Sequence, residues 1–155
     1  MKSLKLLPFL LVFTACHNSN KPMPKDFNFK YSFGYFGDNI NTFDSTYTTG
    51  KNTVGDTTVK VYFTNNEMQR IYGAMVNEDY WNLPETFANK IMIQPCEEFH
   101  LEVTAFAKKK KVSCNGETEL TSKAKKYFAI QDTIKKILFS KKDVKNLPTD
   151  NRMAL

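Results

Sequence analysis

Strict alternation of apolar and polar positions marks the first structural element of this chain. The apolar positions are Phe27, Phe29, Tyr31, Phe33 and Tyr35. A period of two over this length predicts a half-buried β-strand that carries these rings on one face. Gly37-Asp38-Asn39 signals the turn that ends the strand, and the stretches 42–48 and 57–63 predict two further strands.

The hydrophobic period then changes to that of a helix. Thr64 and Glu67 have the spacing of a capping box, in which each side chain bonds to the backbone of the other residue. The apolar positions that follow at helical spacing are Met68, Ile71, Tyr72, Met75 and Val76. A second helix is predicted from about Leu120 to Ser140, and its buried stripe is Tyr127, Ile130, Ile134, Ile137 and Leu138.

Between the two helices the pattern predicts a β-hairpin. Apolar residues alternate with polar residues through the stretch 98–105, and the stretch 91–93 is a candidate short strand before it. A two-residue turn at Ala107-Lys108 would place Val112 opposite Val103 and Cys114 opposite Leu101. In that register Cys114 points inward.

These elements give the order β-β-β-α-β-β-α. We expect an α+β fold with an antiparallel sheet of about five strands, two helices packed on one face, and the other face partly exposed to water. We expect a single domain over residues 26–155, which is long enough to build its own hydrophobic core.

The start of the chain has the pattern of an export signal. Lys2 and Lys5 make a basic start, residues 6–15 are an almost unbroken apolar run, and polar residues follow from His17. The run has roughly half the length that a bilayer-spanning helix needs. Pro8 also interrupts it as a helix, so we interpret residues 1–15 as a signal peptide.

The end of this signal resembles the lipobox of bacterial prolipoproteins. Thr14-Ala15-Cys16 matches its last three positions, and Phe13 stands where the family usually has leucine. The resemblance covers the first sixteen residues. It implies cleavage before Cys16, lipidation of the Cys16 thiol and acylation of the new amine, which together anchor the protein in a lipid bilayer. The alternative is an ordinary cleaved signal with a chance cysteine.

Residues 16–25 predict a flexible tether, because they are polar and contain two prolines. No Asp follows Cys16, which by resemblance to enterobacterial lipoproteins favours the outer membrane over the inner one. The whole pattern is similar to small envelope lipoproteins of Gram-negative bacteria, a resemblance that names no activity. We therefore expect a lipid-anchored protein of the cell envelope.

The positive charge of the chain changes this picture little. The formal net charge is +6, and a basic chain of this kind is typical of proteins that bind nucleic acid. An envelope location argues against nucleic acid as a partner. Lys108, Lys109, Lys110 and Lys111, at the predicted hairpin tip, are candidates for contact with anions or lipid headgroups. The alternative is a sheet edge that is protected by charge.

One weak cluster of residues has side chains that are common in catalytic and metal sites. Glu98, His100 and Glu102 alternate on one strand and so share a face, where a metal could recruit them. We interpret them as part of a solvated sheet face and expect no cofactor. The sequence has no Gly-x-Ser-x-Gly, His-Glu-x-x-His or Cys-x-x-Cys motif. We therefore expect a protein that is not an enzyme.

Two pairs of residues are candidates for other roles. Cys96 and Cys114 are candidates for a disulfide in an oxidising compartment, although their opposite parity argues against it. Tyr80 and Trp81 are residue types that dominate interfaces, which makes them candidate partner contacts.

The leading hypothesis is an anchored lipoprotein that displays a non-catalytic binding or interaction domain to an envelope protein. The alternative is an inhibitor or immunity protein that blocks a hydrolase or toxin.

Overall fold

A six-stranded antiparallel sheet carries two helices in the structure, a computed structural model that describes residues 21–50, 56–87, 97–116 and 118–147. The strands are β1 (Asn28–Phe33), β2 (Asp38–Asn41), β3 (Thr46–Thr49), β4 (Thr57–Lys60), β5 (Glu98–Ala105) and β6 (Lys108–Asn115). The helices are α1 (Asn65–Asn77), α2 (Ser122–Ser140) and the short α3 (Lys142–Lys145), with a 3₁₀ turn at Tyr80–Asn82. The order across the sheet is β4-β3-β2-β1-β5-β6. The predicted α+β class is confirmed.

The start of the sheet is divided differently from the prediction. β1 ends at Phe33 because Gly34 and Gly37, at φ 80° and 72°, turn the chain, and β2 occupies the predicted turn. A second turn follows at residues 42–45, where the Asn41 side chain accepts a hydrogen bond from the Phe43 amide at 3.1 Å. Four strands therefore precede α1 in the described residues, where the sequence predicted three.

The β5–β6 hairpin forms with its register shifted by two residues. The turn is Phe106-Ala107, and Leu101 pairs with Val112 where the prediction had Cys114. A shift of two residues keeps every side chain on its expected face. Cys114 is accordingly buried, as predicted.

Asp26 accounts for the position of this turn. Phe106 and Ala107 both have a φ of 55°, as type I′ hairpin turns require, and each such L-residue costs about 1–2 kcal/mol. The Asp26 carboxylate accepts hydrogen bonds from the Ala107 amide at 2.6 Å and the Phe106 amide at 2.9 Å. The Ala107 amide lowers the pKa of the Asp26 carboxyl most, and the Phe106 amide lowers it further.

Both helices pack on one face of the sheet, as expected. The sheet contributes the buried side chains Phe29, Tyr31, Phe33, Ile40, Tyr47, Phe99, Leu101, Val103 and Ala105. α1 contributes Ile71, Tyr72 and Met75, and α2 contributes Tyr127, Ile130, Ile134, Ile137 and Leu138. The predicted buried stripe of α2 is thus confirmed.

Glu67 ties the start of α1 to the end of α2. The predicted capping box is present, because the Glu67 amide donates to Thr64 Oγ1 at 3.3 Å and the Thr64 amide donates to Glu67 Oε2 at 2.7 Å. The same carboxylate accepts from Lys141, the C-cap of α2. Partial burial alone would raise the pKa of Glu67, but the hydrogen bonds from Lys141 and Thr64 outweigh it and hold the pKa below its ordinary value.

We expect Glu67→Gln to lower the free energy of unfolding by about 1–2 kcal/mol at neutral pH. The folded-state pKa of Glu67 lies below 4.5, so this stabilisation is present above the unfolded-state pKa and is lost as the pH falls through the folded-state pKa. Urea titrations of wild type and variant over a pH series measure the difference. If the difference in the free energy of unfolding stayed constant down to acidic pH, the stabilising role assigned to the ionised Glu67 carboxylate would be wrong. Glu119→Gln, at an exposed site, is the matched control.

Candidate functional site

The four consecutive lysines begin β6 and do not form the hairpin tip. β6 is the edge strand of the described sheet, and its partner on the outer side is a single bridge to Thr86. This edge position fits the interpretation that the lysines protect a sheet edge by their charge. Alternation places Lys108 and Lys110 on the helix-covered face and Lys109 and Lys111 on the open face. Lys109 also pairs with a neighbouring carboxylate, Glu102, at 3.0 Å. The four lysines therefore do not form one uniform cationic patch.

Loop 79–83 and the hairpin bind each other through reciprocal hydrogen bonds. Tyr80 is fully buried, and its hydroxyl hydrogen-bonds to the carbonyls of Leu101 at 2.7 Å and Lys110 at 3.1 Å. In return, Lys110 Nζ donates to the carbonyls of Trp81 at 2.8 Å and Leu83 at 2.6 Å. We call this pair the Tyr80–Lys110 latch. It corrects the predicted partner contact at Tyr80 and the predicted anion contact at Lys110, because both side chains are used inside the domain.

The latch fixes Trp81 at the wall of a cleft of about 370 Å³. Residues that line this Trp81 cleft include Lys21, Tyr72, Met75, Trp81, Phe106 and Lys108. Trp81 is half-buried, and Phe106 at the hairpin turn is 61% exposed. Trp81 thus remains a candidate contact residue for a partner, whereas the buried Tyr80 does not.

The N-terminal segment enters the domain beside the Trp81 cleft. Gln69 Nε2 donates to the Lys21 carbonyl at 3.0 Å, and Gln69 Oε1 accepts from the Met23 amide at 3.0 Å. Met23 also packs against the core. Among the described residues, the N-terminal segment thus already contacts the domain at Lys21 and Met23, ahead of the predicted boundary at Asp26. Cys16 lies outside the described residues.

The face of the sheet opposite the helices is polar across all six strands. One row of neighbouring side chains is Thr58, Thr48, Asn39, Ser32, His100 and Ser113. A second row is Lys60, Thr46, Asn41, Lys30, Glu102 and Lys111. Thr48 and Thr58 hydroxyls are 2.8 Å apart, and Asn39 Nδ2 donates to Ser32 Oγ at 2.7 Å. Hydrogen bonds thus link polar side chains of neighbouring strands on this face.

Glu98, His100 and Glu102 lie together on this polar face. His100 Nε2 is 3.2 Å from Glu98 Oε2, and His100 Nδ1 is 3.0 Å from Ser113 Oγ. Both imidazole nitrogens are thus used by neighbours, and Glu102 pairs with Lys109. Within the described part of the chain, no group of three His, Cys, Asp or Glu residues could hold a metal ion.

A second groove, of about 250 Å³, lies at the other end of the strands. We define this distal groove by Phe33, Tyr35, Phe36, Phe99, Lys135 and Phe139. Tyr35 is 54% exposed and Phe139 41% exposed. Lys135 Nζ lies 4.8 Å from the centre of the Phe99 ring and 5.3 Å from that of Phe33, in the range of cation–π contacts. The groove is therefore an aromatic surface with a fixed ammonium group, and Asp38 and Glu97 add carboxylates to its lining.

The distal groove is well separated from the Trp81 cleft. Phe99 lies near the start of β5, and the turn at Phe106 follows the end of that strand. At ~3.3 Å per residue, the two ends of β5 are roughly 20 Å apart. The alternating pattern did not reveal this groove, because it assigned Tyr35 to the buried face of the first strand. The flanking glycines, Gly34 and Gly37, were the signal that this ring lies on a turn.

The Cys114 thiol is buried between the sheet and α2. Gln131 Nε2 lies 3.8 Å from Cys114 Sγ, and burial raises the pKa of the Cys114 thiol to about 11. At neutral pH this thiol is therefore protonated and weakly reactive. Cys96 and the candidate strand at 91–93 lie outside the described residues, so a disulfide between Cys96 and Cys114 stays a prediction.

None of the helices in the described residues is both long enough and apolar enough to cross a membrane. In comparisons with known proteins, no protein-family model matches this chain, and no curated protein matches it either.

Proposed function

We propose that this chain is a cell-envelope lipoprotein, anchored in the outer membrane through acylated Cys16, whose domain binds another envelope protein through the distal groove. The domain acts as a binding module, without catalysis or a cofactor. One observation carries the proposal. Three exposed aromatic side chains, Tyr35, Phe36 and Phe139, border one groove at the end of the domain that lies away from Lys21, where the anchored chain enters.

The distal groove has the chemistry of a protein-binding surface. Exposed aromatic rings can bury a large apolar area with few rotatable bonds, so they concentrate binding energy. The Phe139 ring packs edge-on against Phe33, with ring centres 6.2 Å apart, which fixes its position before binding. Lys135 adds a positive charge between two rings. This combination suits an apolar or aromatic side chain of a partner that carries a nearby carboxylate.

The anchor and the groove are tested separately. Cys16→Ser removes the thiol that would be acylated, so we expect the protein to move from the membrane fraction to the soluble fraction. Mass spectrometry of the wild-type amino terminus should show the added acyl chains on Cys16. An unmodified terminus in membrane-bound protein would overturn the anchor.

We expect Tyr35→Ser to weaken binding of the envelope partner roughly 30-fold, the size of a hot-spot loss of about 2 kcal/mol. Cross-linking in intact cells identifies the partner, and titration with that purified protein gives the affinity. Tyr62→Ser is the matched control, because Tyr62 is 68% exposed and lies outside the groove.

Equal loss of binding in the Tyr35→Ser and Tyr62→Ser variants would exclude the groove as the binding site. A captured partner that is a hydrolase or toxin, and whose activity falls when the complex forms, would establish the inhibitor or immunity function for the same groove.

A further inference from the structure

We propose that the Trp81 cleft rests on the headgroup region of the bilayer that holds Cys16, so that the domain stands on the membrane with Trp81 and Phe106 at the interface. This inference rests on the proposed lipid anchor. It adds an orientation and a second, non-covalent membrane contact that involves the folded domain itself.

The length of chain between the anchor and the domain limits where the domain can lie. Gln69 holds Lys21 and Met23 on α1, so only residues 17–20 separate Cys16 from the docked chain. At no more than ~3.6 Å per residue, Lys21 lies within roughly 18 Å of Cys16 in any conformation of that stretch. Lys21 itself lines the Trp81 cleft, so this cleft belongs to the part of the domain nearest the bilayer surface.

The side chains around the cleft suit a lipid–water interface. Phe106 projects from the hairpin turn and is 61% exposed, and Trp81 presents an indole, the ring type that is enriched at membrane interfaces. Lys21 and Lys108 supply positive charge beside these rings. Asp79 is the acidic residue of the lining, and its carboxylate accepts a hydrogen bond from Asn82 at 2.8 Å. Aromatic rings flanked by lysines match the headgroup region of a bilayer and its anionic phosphates.

The backbone that carries both rings is held in place before any membrane contact. The Tyr80–Lys110 latch binds the carbonyl of Trp81, and the Asp26 carboxylate binds the amide of Phe106. Little conformational freedom of the backbone would therefore be lost on docking. With this end on the membrane, the distal groove faces away from the bilayer, where a soluble or membrane-bound partner can reach it.

Quenching of the single tryptophan of the chain tests the proposal. The acylated protein is reconstituted into vesicles of phosphatidylcholine and phosphatidylglycerol, with or without bromine on the acyl chains near the headgroup. We expect the brominated lipid to quench Trp81 fluorescence. Each lysine near an anionic surface shifts the ratio of docked to undocked protein roughly fivefold, so Phe106→Asn with Lys108→Ser should relieve most of the quenching.

The control makes the same chemical changes at the far end of the domain. Leu120→Asn with Lys123→Ser removes one exposed apolar residue and one exposed lysine, and it should leave the quenching unchanged. Wild-type protein that floats with the vesicles but shows no quenching would overturn the docking and leave the anchor intact. Quenching that persists in the Phe106→Asn, Lys108→Ser variant would also overturn it. Failure of the acylated protein to float with vesicles would instead overturn the anchor.

Discussion

Gln131→Glu is expected to lower the free energy of unfolding by about 4–6 kcal/mol at neutral pH, which is comparable with the whole stability of many domains. Gln131 lies on α2 and is 2% exposed. Its Oε1 accepts a hydrogen bond from the Tyr31 hydroxyl at 2.9 Å, and its Nε2 points at Cys114 Sγ. Desolvation by burial raises the pKa of the Tyr31 hydroxyl, which indicates how poorly this site would accommodate a charge.

The pH dependence of this variant identifies the cause. A carboxyl at this site would have a folded-state pKa raised by burial. The variant is therefore destabilised only at pH values at which this carboxyl is ionised in the unfolded state. The loss of stability should therefore begin as the pH rises through the unfolded-state pKa and grow until the pH reaches the folded-state pKa. Thermal or urea unfolding at a series of pH values measures it.

Gln131→Met is the matched control, because it removes the hydrogen bonds of the side-chain amide without adding a charge. We expect it to cost about 1–3 kcal/mol with little pH dependence. If Gln131→Glu and Gln131→Met lost the same stability at neutral pH, the buried, uncharged environment assigned to this site would be wrong.

Gln131 also shows how far the sequence could predict this fold. Gln131 lies on the apolar stripe of α2, between Tyr127 and Ile134. Its burial was not predicted, because a hydrophobic pattern counts only apolar side chains. The stripe itself and the capping box at Thr64 were predictable, because both follow from spacing within one helix.

Features that depend on distant parts of the chain were not predictable in this way. The hairpin turn falls at Phe106-Ala107 because Asp26, far away in sequence, accepts both amide hydrogen bonds. No local signal such as Asn-Gly marks that turn. The distal groove also depends on residues that are far apart in the sequence, because it is formed by a turn between two strands and by the last residues of α2.

The second large effect is expected at Tyr80, and a series of substitutions separates its two roles. Tyr80→Ala should cost about 3–5 kcal/mol, because it removes a ring that is fully buried in the core. Tyr80→Phe keeps the ring and removes only the hydroxyl that bonds to the Leu101 and Lys110 carbonyls, so it should cost about 1–2 kcal/mol. Urea unfolding of both variants provides the comparison.

A double-mutant cycle tests whether Tyr80 and Lys110 act as one unit. Lys110→Met removes the ammonium group that binds the Trp81 and Leu83 carbonyls, and combined with Tyr80→Phe it should show a coupling of about 0.5–1.5 kcal/mol. Lys109→Met is the control from the adjacent position, where the lysine side chain is 63% exposed and a change within about 0.5 kcal/mol is expected. Strict additivity of the two latch substitutions would mean that the loop and the hairpin do not support each other.

Trp81 fluorescence connects this latch to the proposed function. The Tyr80 and Trp81 rings pack edge-on with centres 5.7 Å apart, so loss of the Tyr80 ring should expose the indole and shift its emission to longer wavelength. Tyr80→Phe should leave the emission where it is in the wild type. If Tyr80→Ala left both the emission and the vesicle quenching of Trp81 unchanged, Trp81 would be positioned by other contacts. The orientation of the cleft toward a bilayer would then not depend on the latch.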